Sequence, residues 1–135
     1  MSTQPYFLYV EDDDEDIVLL KDMMDLTTNS SKFVSVKNGF EAIKFLQGIK
    51  KGQTFPSLIL MDVQMPRLNG QETLEFLKSD DVYCLIPVVM FSVSENPEQT
   101  GYFGKMRTEI LPKPDNFKSW KEALKKINSY LDENL

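Results

Sequence analysis

The sequence has no histidine, a single cysteine and fewer basic than acidic residues, and each shortage excludes a class of function. Without histidine there is no imidazole for acid–base catalysis, for activating a nucleophile or for binding a metal. Any metal in this protein must therefore be held by oxygen atoms. Cys84 alone can form neither an internal disulfide nor a zinc site built from several thiolates, which fits a reducing cytoplasm.

The charge balance excludes further partners. Lys and Arg number 15 against 21 Asp and Glu, so the net charge is −6, which argues against binding to nucleic acid or to an anionic membrane surface. The start of the chain shows no positive segment followed by a long apolar run, and no stretch is long enough to span a bilayer. With 135 residues and 41% apolar content, we expect residues 1–135 to form one cytoplasmic domain with no separate output domain.

The most informative stretch is 58–70. Four consecutive apolar residues, 58–61, predict a strand buried on both faces, as in a parallel sheet covered by helices. Asp62 follows directly, Pro66 ends the extended segment, and Asn69-Gly70 turns the chain toward a helix. Asp62 should therefore lie at the edge where parallel strands end and ligands usually bind, and it is our candidate nucleophile.

Short apolar runs alternate with stretches of helical periodicity along the chain. Strands are predicted at 6–10, 33–36, 58–61, 87–91 and 109–111, and apolar residues keep helical spacing over 14–27, 42–49, 73–77, 95–105 and 117–131. Strict alternation of this kind predicts an α/β fold, a parallel five-stranded sheet with right-handed crossovers and helices on both faces.

Polar residues follow four of these predicted strands, and they make chemical sense as one set: Glu11, Asp12, Asp62, Ser92 and Lys113. Three neighbouring carboxylates must take up protons or share a cation, and oxygen ligands favour a hard ion such as Mg²⁺. A carboxylate beside that ion can accept a phosphoryl group, with an ammonium group and a hydroxyl binding the phosphoryl oxygens. By contrast, Asp14, Glu15 and Asp16 are interpreted as solvated acidic residues at a helix start.

These residues resemble the receiver domain of two-component response regulators. The resemblance is carried by Glu11-Asp12, by the segment 62–70, by the strand ending in Ser92 and by Lys113-Pro114. It implies a flavodoxin-like, doubly wound (βα)5 fold with strand order 2-1-3-4-5. It also implies Mg²⁺ at Glu11, Asp12, Asp62 and the backbone carbonyl of Gln64. Asp62 would be phosphorylated by a histidine kinase, and the Lys113–Pro114 peptide bond would be a candidate for the cis form.

A narrower resemblance is to the small single-domain regulators that partner phytochromes and related sensor kinases. It is carried by Val10-Glu11-Asp12-Asp13, by the segment 38–42 and by the late Phe117, Trp120 and Tyr130. It implies a sensor histidine kinase or a phosphotransfer protein as partner. Dimerisation or docking would use the fourth helix, the fifth strand and the last helix.

Three positions depart from the family pattern. Ile110 stands where an aromatic switch residue is common, Val93 is bulkier than the usual small residue after the hydroxyl, and Pro112 removes a backbone donor near the end of the fifth strand. The leading hypothesis is a phosphorylation-dependent switch with at most self-catalysed phosphorylation and dephosphorylation. The alternative is a protein-interaction module of the same fold that works without phosphorylation. A magnesium-dependent phosphohydrolase is a third, weaker interpretation.

Overall fold

Residues 4–27, 31–63, 69–93 and 97–132 are described by the structure, which is a computed structural model. Five parallel strands form one sheet in the order β2-β1-β3-β4-β5, as the family resemblance implied. The strands are β1 (Tyr6–Val10), β2 (Lys32–Val36), β3 (Leu58–Asp62), β4 (Val88–Ser92) and β5 (Glu109–Pro112). The helices are α1 (Asp14–Leu26), α2 (Gly39–Gln47), α3 (Gly70–Ser79), α4 (Pro97–Lys105) and α5 (Phe117–Asp132).

The helices cover both faces of the sheet, which explains why the central strands are continuously apolar. β3 and β4 are buried at every position because α1 and α5 pack on one face while α2, α3 and α4 pack on the other. Successive side chains of each strand alternate between the two faces. Tyr9 and Leu60 thus lie under α1 and α5, whereas Leu8 and Ile59 lie under α2 and α3.

Polar caps fix where the helices begin. Asp13 accepts a hydrogen bond from the backbone N–H of Glu15 at the start of α1, and Asn38 accepts one from Glu41 at the start of α2. Asn69 and Glu72 form a reciprocal capping box at the start of α3. The predicted Asn-Gly turns are therefore helix N-termini, each with asparagine as the cap.

Two features differ from the prediction, and one predicted boundary falls on residues that the structure does not describe. The helical spacing that ran to Ile49 ends earlier, because α2 stops at Gln47 and Gly48 caps it. A single 3-10 turn, Tyr83–Leu85, lies between α3 and β4, where Asp80 accepts hydrogen bonds from the N–H groups of Val82 and Tyr83. The predicted start of α4 at Glu95 lies outside the described residues, and the described helix begins at Pro97.

Candidate functional site

The alternation of strand side chains brings a group of polar residues to one face of the sheet. Glu11, Asp62 and Lys113 each come two positions after a residue packed under α1 and α5, namely Tyr9, Leu60 and Leu111. Because the strands are parallel, their carboxyl ends meet at the same edge of the sheet. The first residues after the apolar runs therefore converge above the core.

Lys113 is the centre of this group. Its Nζ atom lies 2.5 Å from Glu11 Oε1, 2.7 Å from Asp16 Oδ2 and 2.9 Å from Asp62 Oδ2. The side chain is only 12% exposed, so the ammonium group depends on these carboxylates in place of water. The Lys113 backbone N–H donates to the Ser92 carbonyl at 2.8 Å, which extends the β4–β5 pairing beyond Pro112 and fixes the lysine at the edge.

Glu11, Asp12 and Asp62 supply a set of carboxylate oxygens suited to a metal ion. One oxygen from each lies within 4.8 Å of the others. Glu11 and Asp62 are buried whereas Asp12 is exposed, so the group opens to solvent on the Asp12 side. Oxygen ligands of this number and charge fit a hard divalent cation such as Mg²⁺, which binds through few carboxylates and keeps several waters.

Burial and the crowded carboxylates shift the pKa values of Glu11 and Lys113. Burial raises the pKa of the Glu11 carboxyl to about 7; Asp62 also raises it, and the hydrogen bond from Lys113 opposes the shift. Burial acts to lower the pKa of the Lys113 amine, but hydrogen bonds with Asp16, Glu11 and Asp62 together raise it above its ordinary value. Lys113 therefore stays an ammonium ion, and the negative charge around it exceeds the positive.

Gly70 allows α3 to start close to the site. A Cβ atom at this position would lie 2.7 Å from the backbone oxygen of Asp62 and 2.8 Å from Met90 Cε, closer than real Cβ contacts. The Gly70 N–H donates to the Val63 carbonyl at 3.3 Å. The helix and the end of β3 can approach this closely only because residue 70 has no side chain.

Some predicted site residues are placed only in part. Ser92 is the last residue of β4, is buried and follows Phe91, the residue opposite Asp62 in the sheet, so it lies at the same edge. Gln64 lies outside the described residues, and its carbonyl as a ligand stays a prediction. The Lys113–Pro114 peptide bond is trans, since no described residue has a cis peptide bond.

Asp16 was missed as a member of this group. The interpretation of Asp16 as a solvated helix-start residue is wrong, because its carboxylate contacts the Lys113 ammonium at 2.7 Å. Asp16 is the third residue of α1, and its side chain reaches Lys113 at the ends of the strands. Only the placement of α1 over the edge of the sheet could have revealed this contact. Asp14, as expected of an exposed helix-start residue, pairs instead with the partly exposed Lys37.

A five-stranded parallel sheet in this order is a doubly wound α/β fold, and the acidic group and the lysine lie at its carboxyl edge, where such folds bind their ligands. The profile of the response regulator receiver domain matches residues 7–125. The chain belongs to the response regulator receiver domain family.

Two curated response regulators are similar to this chain in sequence. Response regulator Rcp1 of Synechocystis sp. is 31% identical over 93 residues, which span 67% of this chain and 63% of Rcp1. The polar-differentiation response regulator DivK of Brucella anthropi is 32% identical over 82 residues, 61% of each chain. The aligned segments thus span less than two thirds of these curated relatives.

Solved structures agree over a longer span. The phosphorylated cyanobacterial phytochrome response regulator RcpA has a TM-score of 0.82 and 26% identity, covering 98% of this chain and 97% of RcpA. The Mn²⁺-bound form of Rcp1 has a TM-score of 0.77 and 26% identity, covering 93% of this chain and 92% of Rcp1. The predicted likeness to phytochrome-associated response regulators is confirmed.

No helix in the described part of the chain has the length and apolar content needed to cross a bilayer.

Proposed function

We propose that this chain is a cytoplasmic single-domain response regulator that accepts a phosphoryl group on Asp62. The donor is a phosphorylated histidine of a sensor kinase or of a phosphotransfer protein, and the reaction depends on Mg²⁺. The observation that carries the proposal is the Lys113 ammonium, 2.9 Å from the Asp62 carboxylate and beside the Glu11–Asp12–Asp62 group. A buried carboxylate next to a fixed cation and a set of metal ligands is equipped for phosphoryl transfer.

Each residue of the site has its own role in the proposed phosphoryl transfer. An Asp62 carboxylate oxygen forms a bond to phosphorus while the bond between phosphorus and the donor histidine nitrogen breaks. Lys113 already lies at Asp62, so its ammonium group can pair with a phosphoryl oxygen with little movement, and the Ser92 hydroxyl can donate to another. Glu11, Asp12, Asp62 and the Gln64 carbonyl would hold Mg²⁺, which supplies neutralisation of the phosphoryl charge.

A similar protein supports a proposal for the partner, and the topology supports one for the output surface. RcpA is described as a cyanobacterial phytochrome response regulator, and we extend that kind of donor, a phytochrome-like sensor kinase, to this chain. The signal would leave through the surface formed by α4, β5 and α5, where a homodimer or a target would bind. Ser92 ends β4, Lys113 directly follows β5, and β5 contacts α4, so changes at the site would reach this surface first.

Acetyl phosphate with Mg²⁺ provides the direct test. The wild-type protein should gain the mass of one phosphoryl group, whereas Asp62→Asn should gain none. Asp81→Asn is the matched control, because Asp81 is an exposed carboxylate on the loop after α3 and should leave labelling unchanged. Equal labelling of wild type and Asp62→Asn would exclude Asp62 as the acceptor.

One observation favours a second function. Ile110 lines a groove of about 620 Å³ together with Ser92 and Val93, and no aromatic side chain is among the described residues that line it. Val93 is 74% exposed at this position. A module that binds its partner without phosphorylation would have no need of an aromatic switch residue here.

Beryllofluoride, which mimics the phosphoryl group, separates the two functions. A switch predicts a large change in partner affinity or oligomeric state when beryllofluoride and Mg²⁺ are added. The phosphorylation-independent module predicts intact Mg²⁺ binding and an unchanged affinity.

A further inference from the structure

A groove of about 840 Å³ lies at the edge of the sheet formed by β2, away from the phosphoacceptor. It runs between β2, the start of β1 and the end of α2. Tyr6, at the start of β1, lies opposite Lys32 of β2, five residues before Glu11. Five residues of extended strand span about 16 Å, so the groove and the acidic group lie toward opposite ends of β1.

Apolar side chains of β2, of α2 and of the loop after α2 line the groove. Val34 pairs with Leu8, which packs under α2, so the Val34 side chain faces the same side of the sheet. Phe45 of α2 and Ile49 close the groove from the helix side. Val34 is 38% exposed, which leaves apolar surface of the strand open to a ligand.

The charges beside this groove are of one sign. Lys32 lies on the strand side and Lys44 on the helix side, and no carboxylate is among the described residues that line the groove. Neither lysine forms an ion pair with a carboxylate in the described part of the chain. The exposed Lys50 and Lys51 follow in the next loop. In a protein of net charge −6, this is a local positive surface that attracts a negatively charged partner.

The backbone of β2 is open on its outer side. β2 is the first strand in the sheet order, and its residues pair with β1 alone among the described strands. The outward N–H and C=O groups of an edge strand can pair with an added strand, which is how extended peptides bind many sheets.

We propose that the β2 edge and this groove bind an extended segment of a partner protein that carries both acidic and apolar residues on one face, at every second position of its chain. The segment adds as a further strand beside β2. Its apolar side chains enter the groove, and its carboxylates pair with Lys32 and Lys44. This site does not depend on phosphorylation of Asp62.

Other ligands fit these features less well. A nucleic acid would meet a protein whose net charge repels its phosphates, and two lysines neutralise few of them. A small carboxylate would leave the outer backbone groups of β2 unused. A peptide with acidic and apolar residues on one face uses the apolar floor, the two lysines and the strand edge together.

Binding can be measured with two fluorescent six-residue peptides, Glu-Thr-Ile-Thr-Glu-Thr, which has its glutamates and isoleucine on one face, and the same peptide with lysine in place of each glutamate. We expect the acidic peptide to bind and to shift backbone amide signals of 32–36 and 44–54 in ¹H–¹⁵N spectra. The lysine peptide and a short thymidine oligonucleotide should bind at least tenfold more weakly. Equal or tighter binding of either would overturn the stated ligand class.

Two variants with the same charge change test the location. Lys32→Glu with Lys44→Glu should weaken binding of the acidic peptide at least tenfold. Lys118→Glu with Lys125→Glu, on the exposed surface of α5, should change it less than twofold. Similar losses in both would mean that net charge alone attracts the peptide, and the site would be rejected. Circular dichroism checks that each variant is folded.

Backbone pairing is tested separately. Methylating alternate amide nitrogens of the acidic peptide on its strand-pairing edge should weaken binding at least tenfold, because those N–H groups can no longer reach β2. Methylation on the opposite edge should have little effect. Unchanged binding of both methylated peptides, or amide shifts confined to other elements, would contradict strand addition.

Discussion

The two ends of the sheet are built differently. At the amino end, below β3 and β4, the rings of Phe55 and Phe76 each pack against Tyr83 with centroids 6.2 and 6.5 Å away, and the Ser57 N–H donates to the Tyr6 carbonyl. At the carboxyl end, the same strands finish in buried charges, with Asp62 and Lys113 in contact. Along β3, the buried carboxylate of Asp62 comes two positions after the fully buried Leu60.

This difference separates stability from function. Burying an apolar side chain stabilises the fold, whereas burying charges opposes folding unless each is well paired. At the carboxyl end, Glu11, Asp16 and Asp62 share one ammonium group, so the pairing is incomplete. The amino end and the core supply stability. The buried charges of the carboxyl end reduce it, and the proposed binding of a cation and a phosphoryl group would explain why they are there.

The largest effect should come from the core. Leu60→Ala removes a fully buried side chain from the cluster under α1 and α5, and we expect a loss of about 2–5 kcal/mol in the free energy of unfolding. Leu85→Ala makes the same chemical change at a residue that is 79% exposed and should stay within about 0.5 kcal/mol of wild type. Urea denaturation measures both, and equal losses would contradict this view of the core.

A smaller effect should come from the contact between α3 and the site. Gly70→Ala places a Cβ against the Asp62 carbonyl and Met90, so we expect a loss of about 1–3 kcal/mol and slower labelling by acetyl phosphate. Gly101→Ala in α4 meets no atom within 4 Å and should be stabilising by about 0.5–1 kcal/mol. Denaturation and intact-mass kinetics measure the pair. A Gly70→Ala protein as stable and as fast as wild type would refute the close approach.

The fold could be predicted from the sequence because its strands are buried on both sides. Runs such as 58–61 and 88–91 are apolar at every position, which is rare outside covered parallel sheets. β2 gave a weaker signal, since as an edge strand it is only partly buried. The end of α2 and the turn 83–85 were not predicted, because the helical spacing through Ile49 does not show where the backbone leaves the helix.

The sequence predicted most residues of the candidate site but not the contacts between them. Glu11, Asp62 and Lys113 were identified because they come at the ends of apolar runs that a parallel sheet brings to one edge, and because they make chemical sense as a set. Asp16 was not, because its sequence context is that of an ordinary helix start and its contact with Lys113 spans 97 residues of chain. The lysine-lined groove beside β2 was missed for the same reason. Lys32 and Lys44 have no sequence motif in common and meet only when α2 packs beside β2.

The smallest expected effect comes from a substitution at Asp62, and it tests whether the crowded charges at the carboxyl end reduce the stability of the fold. In the absence of divalent ions, Asp62→Asn removes one carboxylate from a group in which negative charge exceeds positive, while Lys113 keeps Glu11 and Asp16. We expect the variant to be more stable than wild type by about 1 kcal/mol, although it loses one ion pair. A destabilisation of similar size would mean that the ion pair with Lys113 outweighs the repulsion.

Adding Mg²⁺ should make wild type more stable than Asp62→Asn. Wild type has all three carboxylates, so by mass action it should gain about 2.7 kcal/mol at a Mg²⁺ concentration 100 times the dissociation constant. Asp62→Asn has lost one ligand and should gain much less at the same concentration. Asp81→Asn, exposed and remote from the site, should follow wild type with and without the ion. Urea denaturation of the three proteins at both ion concentrations measures the reversal. Equal stabilisation of wild type and Asp62→Asn by Mg²⁺ would show that Asp62 is not a ligand, and the charge excess at this end of the sheet would need another explanation.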